Sequence, residues 1–394
     1  MIYMDNGATT KMSSGAIQTM LPYMDKLYGN PSSLHEAGQQ AAEALQAARQ
    51  SMAEHLGADP GEIYFTSGGT EADNQALLTG AAIGRRQGKM HIISTAFEHH
   101  GVLHTLDALK QQGFKITLLP VGAAGVVDPA AVQAAITDET CLVSVMYVNN
   151  EIGTVQPIDQ IADICRSRGV LFHTDAVQAV GHLPIDVHRQ QIDMLSLSAH
   201  KFHGPKGVGA LYVRRGIPVA NLMHGGAQER GRRPGTENIP AIVGMAAALG
   251  EACANMEQSA RYLTPLRDRL ISGLSAIPHS ALNGDATRRA PGNVNMCFEG
   301  IEGESLLLML SDMGICASSG SACTSGSLEP SHVLLAIGRP HQIAHGSLRL
   351  TLSDENTPED VEYTIQAVTE VVQKLREMSP RWRDLVQGKK PFVI

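Results

Sequence analysis

The chain has 394 residues, of which 43% are hydrophobic and 18% charged, so it can bury a sizeable core and is not a disordered polymer. Its formal net charge is -8 and no run of lysine or arginine occurs, which excludes an electrostatic surface for nucleic acid. No basic segment followed by an apolar one opens the sequence, so no secretory leader and no membrane partner are expected; six cysteines with no Cys-x-x-Cys pair point to a reducing cytoplasm and to no metal site of local spacing.

From about residue 60 to 215, short apolar runs alternate with helical stretches. The predicted strands are Glu62–Thr66, His91–Thr95, Lys115–Pro120, Cys141–Tyr147, Val170–His173, Met194–Leu197 and Gly209–Val213. The predicted helices are Ala72–Arg86, Gly101–Gln112, Asp128–Ala135 and Ile158–Arg168. Apolar runs without a polar face suit strands covered on both sides. The fold class is therefore α/β, a mostly parallel sheet flanked by helices, with right-handed crossovers. Ligands of such a sheet bind at the carboxyl ends of its strands.

Beyond residue 250 the texture changes. A long helical stretch, Ile239–Leu274, is expected to break near Pro265. Strands near Ala290–Glu299 and Ser347–Leu352 and helices at Glu304–Asp312 and Pro358–Leu375 follow. These predict a smaller α+β domain, formed by 1–13 with 255–394, beside a large domain at 14–254. The apolar run Ile239–Gly250 contains a proline and is too short to cross a bilayer, so it reads as a buried helix.

Candidate chemistry clusters at the predicted strand ends. In Ser196-Leu197-Ser198-Ala199-His200-Lys201-Phe202-His203-Gly204-Pro205, Lys201 stands among hydroxyls and imidazoles between an apolar run and a turn. A desolvated lysine amine can form a Schiff base, and pyridoxal phosphate is the cofactor that most often needs one. The ordinary alternative is a solvated loop lysine. Ser67-Gly68-Gly69-Thr70 joins a strand to a helix, where glycines and free N–H groups can hold a phosphate, though a plain capped turn looks the same. Asp175 follows an apolar strand and could keep a pyridine nitrogen protonated or simply cap a helix; Gln178 and Asn150 could meet a ring hydroxyl. His99 could stack on a ring and move protons, among sixteen histidines that mostly need no such role. Arg349 could clamp a carboxylate. Cys323 sits in Ala317-Ser318-Ser319-Gly320-Ser321-Ala322-Cys323-Thr324-Ser325-Gly326-Ser327, a stretch of small residues that packs poorly and leaves the thiol exposed. The loop His224–Asn238, rich in glycine and arginine, could bind an anion or cross a subunit boundary. His100 and His104 have a helical metal-ligand spacing, but Gly101 stands where a zinc-protease helix carries glutamate, and no third ligand is evident.

Taken in order, Ser-Ala-His-Lys201, Asp175 with Gln178, Glu98-His99, the turn at 67–70 and the Cys323 loop resemble the NifS/IscS-type cysteine desulfurases. The resemblance runs from Met4 to Pro380. It implies a fold type I pyridoxal 5'-phosphate enzyme acting as a homodimer on L-cysteine. By that resemblance Lys201 carries the cofactor; Gly69, Thr70, Ser198 and His200 hold its phosphate, joined by Thr236 of the neighbouring subunit. Asp175 pairs with the ring nitrogen, Gln178 and Asn150 lie at the ring hydroxyl, and His99 stacks on the ring. Arg349 with Asn150 holds the substrate carboxylate, and Cys323 takes the sulfur for an iron–sulfur scaffold or another acceptor protein. Gly69 and Gly7 depart from the family's more frequent residues at their positions. A selenocysteine lyase or transaminase on the same fold, or a non-catalytic sulfur-relay protein, stays open as an alternative.

Overall fold

Strands whose two faces are both apolar must be covered on both sides, and the helices between them are the only cover available. The computed structural model describes residues 1–319 and 330–394. The chain opens with β1 (Ile2–Tyr3), α1 (Ser14–Asp25) and α2 (Glu36–Leu56), then enters the alternating region: β2 (Ile63–Thr66), α3 (Gly69–Arg86), β3 (His91–Thr95), α4 (His100–Gln111), β4 (Lys115–Leu119), α5 (Pro129–Ala135), β5 (Thr140–Ser144), α6 (Ile158–Ser167), β6 (Leu171–Asp175), β7 (Met194–Ser198) and β8 (Gly209–Val213). These seven strands, β2 to β8, form one sheet in the order β2-β8-β7-β6-β5-β3-β4. The mostly parallel sheet read from the sequence is the one that forms. Only β8 runs against its neighbours β2 and β7. The segment 199–208 that links β7 to β8 carries no α-helix, and a parallel return needs a crossover of a dozen residues or more.

After the sheet come α7 (Ile239–Ser275), β9 (Ser280–Leu282), β10 (Asn293–Phe298), α8 (Gly303–Asp312), β11 (Ile315–Cys316), α9 (His332–Ala336), α10 (His341–Ala344), β12 (Ser347–Thr351), α11 (Pro358–Met378) and α12 (Pro380–Val386). β12, β10 and β9 form an antiparallel sheet, and β1 pairs in parallel with β11. Met4, Leu270, Phe298, Leu310, Leu350 and Val368 belong to an apolar cluster separate from those around the seven-stranded sheet.

Two expectations change. The long helix does not break at Pro265: α7 is continuous across it. Leu263, Leu266, Leu270 and Leu274 are buried along its second half, and packing of such a stripe outweighs a proline penalty of about 3 kcal/mol. This helix is long and apolar enough to cross a membrane, but Ile239, Ile242, Met245 and Leu249 are buried in the core, as the sequence reading of a buried helix requires. The helices α1 and α2 were not anticipated. The inward stripe of α2, Ala41, Ala44, Leu45, Ala48, Met52, Ala53 and Leu56, repeats at helical spacing but is mostly alanine, a weak hydropathy signal. Gly57 ends α2 in the left-handed conformation (φ 66°).

Between α2 and β2 lies a buried ion pair. The Arg49 guanidinium meets Glu229 at 2.5 Å and also donates to the Ile63 carbonyl at 2.8 Å, while Glu229 accepts the Phe65 N–H at 2.9 Å. Glu229 and Arg230 both have positive φ, so the pair holds a strained turn against the strand that leads into α3. Removing one partner strands the other charge. Arg49→Ala should lower unfolding stability by about 3–5 kcal/mol, and Arg49→Met with Glu229→Gln should recover most of it. Chemical denaturation of the three proteins checks this; equal loss in the single and double variants would contradict it.

Candidate active site

The carboxyl ends of the parallel strands converge as the topology requires. The turn after β2 begins α3 at Gly69, and Gly68 has φ 154°, extended beyond the range of most side chains. A Cβ on Gly69 would come within 2.6 Å of the Val177 Cγ2, and a Cβ on Gly68 within 3.7 Å of the Ser198 Oγ. Gly69 thus lets the first turn of α3 approach Val177, just past β6, while at Gly68 it is the φ of 154° and not space that asks for glycine. Thr70, exposed in that turn, and buried Ser198 at the end of β7 offer hydroxyl groups beside the free N–H groups of the first turn, a donor set suited to an anion.

Lys201 lies three residues beyond β7, half-buried. Its Nζ donates to the carbonyls of Gly7 at 2.7 Å and Ala8 at 2.9 Å. This is not a solvated loop lysine. The same N-terminal segment is fastened from several directions. Gln178 Nε2 donates to Gly7 O at 3.0 Å, Gly7 N donates to Thr351 Oγ1 at 2.6 Å, and Thr10 N donates to His200 O at 2.9 Å. His200 Nδ1 lies 3.2 Å from Thr9 Oγ1, and burial, with Lys201 and Lys206 nearby, pushes its imidazole down to about 4, so it is neutral. A Cβ on Gly7 would touch the Thr351 methyl at 3.0 Å, which gives this glycine a steric reason.

Asp175 is the last residue of β6 rather than one beyond it. Its Oδ1 accepts the Val177 N–H at 2.9 Å, a local turn contact, and it caps no α-helix. Burial raises its carboxyl, opposed by the charges of His99 and Lys201. His99 caps α4: its Nδ1 accepts the Gly101 N–H at 3.0 Å, so Nε2 carries the hydrogen of the neutral ring. One ligand-type atom each from Asp73, His99 and Asp175 lies within 4.8 Å of the other two.

Arg349 in β12 is buried. It donates to the Asn150 carbonyl at 3.0 Å and to Asp5 at 3.1 Å, and its Nε has no partner among the described residues. Asn150 Oδ1 is also buried without a partner. These orphaned donors and acceptors beside a lysine amine, a buried carboxylate and a helix N-terminus fit the polar perimeter of pyridoxal phosphate and of an amino acid joined to it. A cleft of about 210 Å³ reaches Lys201 and Gln178 from the side of Asn6 and Thr10. A larger cavity of about 560 Å³ lies among α7, α11 and α12 and contains none of the predicted residues.

Thr236 is exposed and lines a small cleft with Ser67 and Arg233, not with Lys201. Cys323 falls within 320–329, outside the described residues. The structure adds three groups that the sequence reading did not single out. Asp73 projects from the inner face of α3, fully buried. Glu98 is buried with no exposure. His332 joins His100 and His104, with ring centroids at 4.6 and 5.0 Å from His100. The acidic residue on an otherwise apolar helix face at Ala72-Asp73 was the signal for the first; no local pattern marked the third.

The model of the class-V aminotransferases matches residues 2–364. The chain belongs to that family. It is 56% identical over 379 residues to a cysteine desulfurase IscS of Methanosarcina thermophila, covering 96% of this chain and 94% of the relative. It is 51% identical over 391 residues to a cysteine desulfurase IscS of Clostridium botulinum, covering 98% of each. Among solved structures, a NifS-like protein superposes with a TM-score of 0.89 at 38% identity, covering 95% of this chain and all of that one. The fold type I architecture read from the sequence is therefore the fold of this family, and pyridoxal phosphate is its cofactor.

Glu98 gives the family site a pH dependence of its own. Burial raises its carboxyl to about 8, despite the Thr95 hydroxyl at 2.5 Å and the Met146 N–H at 3.0 Å. From the ordinary value of 4.5 up to about 8, the unfolded chain has lost this proton and the folded one has kept it, so the Glu98 contribution to stability falls as pH rises. Glu98→Gln removes the term. Its melting temperature should exceed that of the parent by a few degrees near pH 9 and match it near pH 4. Thermal melts of the apoprotein across that range would show an unchanged pH slope if the reading of Glu98 were wrong.

Proposed function

We propose that this cysteine desulfurase works through the residues gathered at the carboxyl ends of its parallel strands, together with Cys323 and a second copy of the chain. The observation that supports the assignment most is the half-buried Lys201 amine, fixed by two backbone carbonyls in the enclosure it shares with Asp175 and His99. Pyridoxal 5'-phosphate, when bound, supplies an aldehyde for that amine and an electron-poor ring that delocalises charge at the substrate α-carbon.

The first turn of α3 at Gly69 and Thr70, with Ser198 and His200, binds the phosphate. Asp175 holds a proton on the ring nitrogen, Gln178 and Asn150 orient the ring hydroxyl, and His99 packs on the ring. Arg349, with Asn150 beside it, grips the carboxylate of L-cysteine; its unpartnered Nε is a ready donor. Lys201 Nζ takes the α-proton. The Cys323 thiolate attacks the substrate sulfur: the new S–S bond forms as the substrate C–S bond breaks, the electron pair stays with the carbon fragment, and L-alanine leaves after that carbon is protonated. His99 moves the proton at the thiol. Cys323 then holds a persulfide, which passes to an iron–sulfur scaffold or another acceptor protein.

The working unit is a homodimer in which Thr236 reaches the neighbouring subunit's phosphate. Thr236 is exposed, and so are Tyr28 (80%) and Leu34 (93%), apolar side chains that a subunit interface would cover. The cytoplasm suits a chemistry that needs a reduced thiol, and the five described cysteines are free.

Two substitutions test the assignment. Cys323→Ala should retain the yellow cofactor yet lose alanine formation by roughly 1,000-fold or more, and Lys201→Ala should lose turnover to a similar extent whether or not the cofactor binds. Steady-state alanine release with a parallel absorbance spectrum decides each. Normal turnover by either variant removes that residue from the mechanism.

A further inference from the structure

A polar row crosses the buried middle of the seven-stranded sheet. Ser144 of β5 lies opposite His173 of β6, and Asp175 of β6 lies opposite Ser196 of β7. Successive residues of a strand alternate faces, so His173 and Asp175 share one face. On it, Ser144 Oγ meets His173 Nδ1 at 2.9 Å and His173 Nε2 meets Ser196 Oγ at 2.9 Å. Ser94 of β3 extends the row by donating to the Ser144 carbonyl at 2.8 Å. All four side chains have no exposure.

The row ends at Asp73, which descends on it from α3. Asp73 is hydrogen-bonded to Ser196, and its Oδ1 stands 3.7 Å from His173 Nε2, outside hydrogen-bond range and without another partner. An oxygen of Asp73 lies within 4.8 Å of one of Asp175. Two carboxylates that close, both buried, do not both ionise. Their surroundings decide which keeps the proton. Asp175 faces the Lys201 cation and His99 and accepts a backbone N–H. No cation acts on Asp73 to a comparable extent. From β6 it meets Asp175 and His173, and burial takes His173 down to about 3, leaving it neutral. From the segment before α4 it meets Glu98, itself protonated, and His99, which it shares with Asp175. The direction for Asp73 is strongly upward, led by burial and then by Asp175.

We propose that Asp73 is a positioning residue for the reaction: held by the Ser196–His173–Ser144 row, its carboxyl keeps a proton beside Asp175, so that Asp175 alone presents negative charge to the ring nitrogen. The proposal rests on the reading of Asp175 as that nitrogen's partner. Its effect is on the charge and aim of Asp175, and Asp73 need never touch substrate.

A neutral carboxyl can be replaced by a neutral amide of the same shape. Asp73→Asn should therefore fold, melt near the parent temperature and keep kcat within about threefold, whereas Asp73→Ala should lower kcat at least about tenfold with little change in KM and shift the pH titration of the bound cofactor's absorbance. Infrared difference spectra of the apoproteins near neutral pH supply a readout free of cofactor. Parent minus Asp73→Asn should contain a protonated-carboxyl band distinct from that of parent minus Glu98→Gln. No such band, failure of Asp73→Asn to fold, equal losses in Asp73→Asn and Asp73→Ala, or an unmoved absorbance titration in Asp73→Ala would each overturn the proposal. Asp175→Asn, run in parallel, reads the other assignment separately. If that variant keeps the parent cofactor spectrum and turnover, the ring-nitrogen role of Asp175 fails, while the apoprotein band still decides where the proton sits.

Discussion

The two hydrogen bonds from the Lys201 amine to the carbonyls of Gly7 and Ala8 join the beginning of the chain to the end of the central sheet. Much of the site's geometry depends on that join. The amine needs acceptors because it is half-buried, and the N-terminal segment supplies them only because Gln178, Thr351, His200 and the His203 N–H fix it from other directions. Gly7 N bonds to Thr351 of β12, so one short segment touches both the sheet that ends in Lys201 and the sheet that carries Arg349. The Lys201 amine and the Arg349 guanidinium are thereby tied to one short N-terminal segment, which turns at Asn6–Ala8.

Around that join the electrostatics follow from burial. Asp73, Glu98 and Asp175 are all enclosed, and the nearby cations are too few to ionise three carboxyls in a medium of low polarity. Desolvation is the largest cause of the upward shift of each. Burial thus raises all three carboxyls, and Asp175 is the one whose rise Lys201 opposes. His173 and His200 are pushed down by the same burial and serve as neutral polar links. In the proposed assignment, a cationic ring nitrogen entering this enclosure meets Asp175 as its one negative partner.

The strands of the central sheet were legible because each is an apolar run between turn residues, and the rule that ligands gather at carboxyl ends brought Gly69, Asp175, Ser198 and Lys201 together before any coordinates. What sequence could not give was contact across long separations. Nothing around Gly7 announces that it will accept from Lys201, and nothing around His332 announces His100. Local periodicity also misled in two places. Pro265 is a breaker by its chemistry, but the leucines that follow it are buried and carry α7 through. The helix α2 presents alanines inward, so its amphipathic stripe is faint in hydropathy though regular in spacing. The polar row at Ser144, His173 and Ser196 was hidden for the opposite reason: within each strand its member is one polar residue among others, and only the register aligns them.

The register of β12 carries a last consequence for how substrate and sulfur acceptor residue are brought into relation. Arg349 donates its backbone N–H to Ser318 O at 2.7 Å and accepts from Ser318 N at 3.2 Å, so the residue proposed to grip the carboxylate also pins the chain just before 320. On the far side, Ser331 donates to the carboxylate of Glu151, the neighbour of Asn150. The described residues on either side of 320–329 are thus fastened beside the proposed clamp, Ser318 to Arg349 and Ser331 to Glu151 next to Asn150. The chain on both sides of 320–329 and the proposed clamp therefore share one frame.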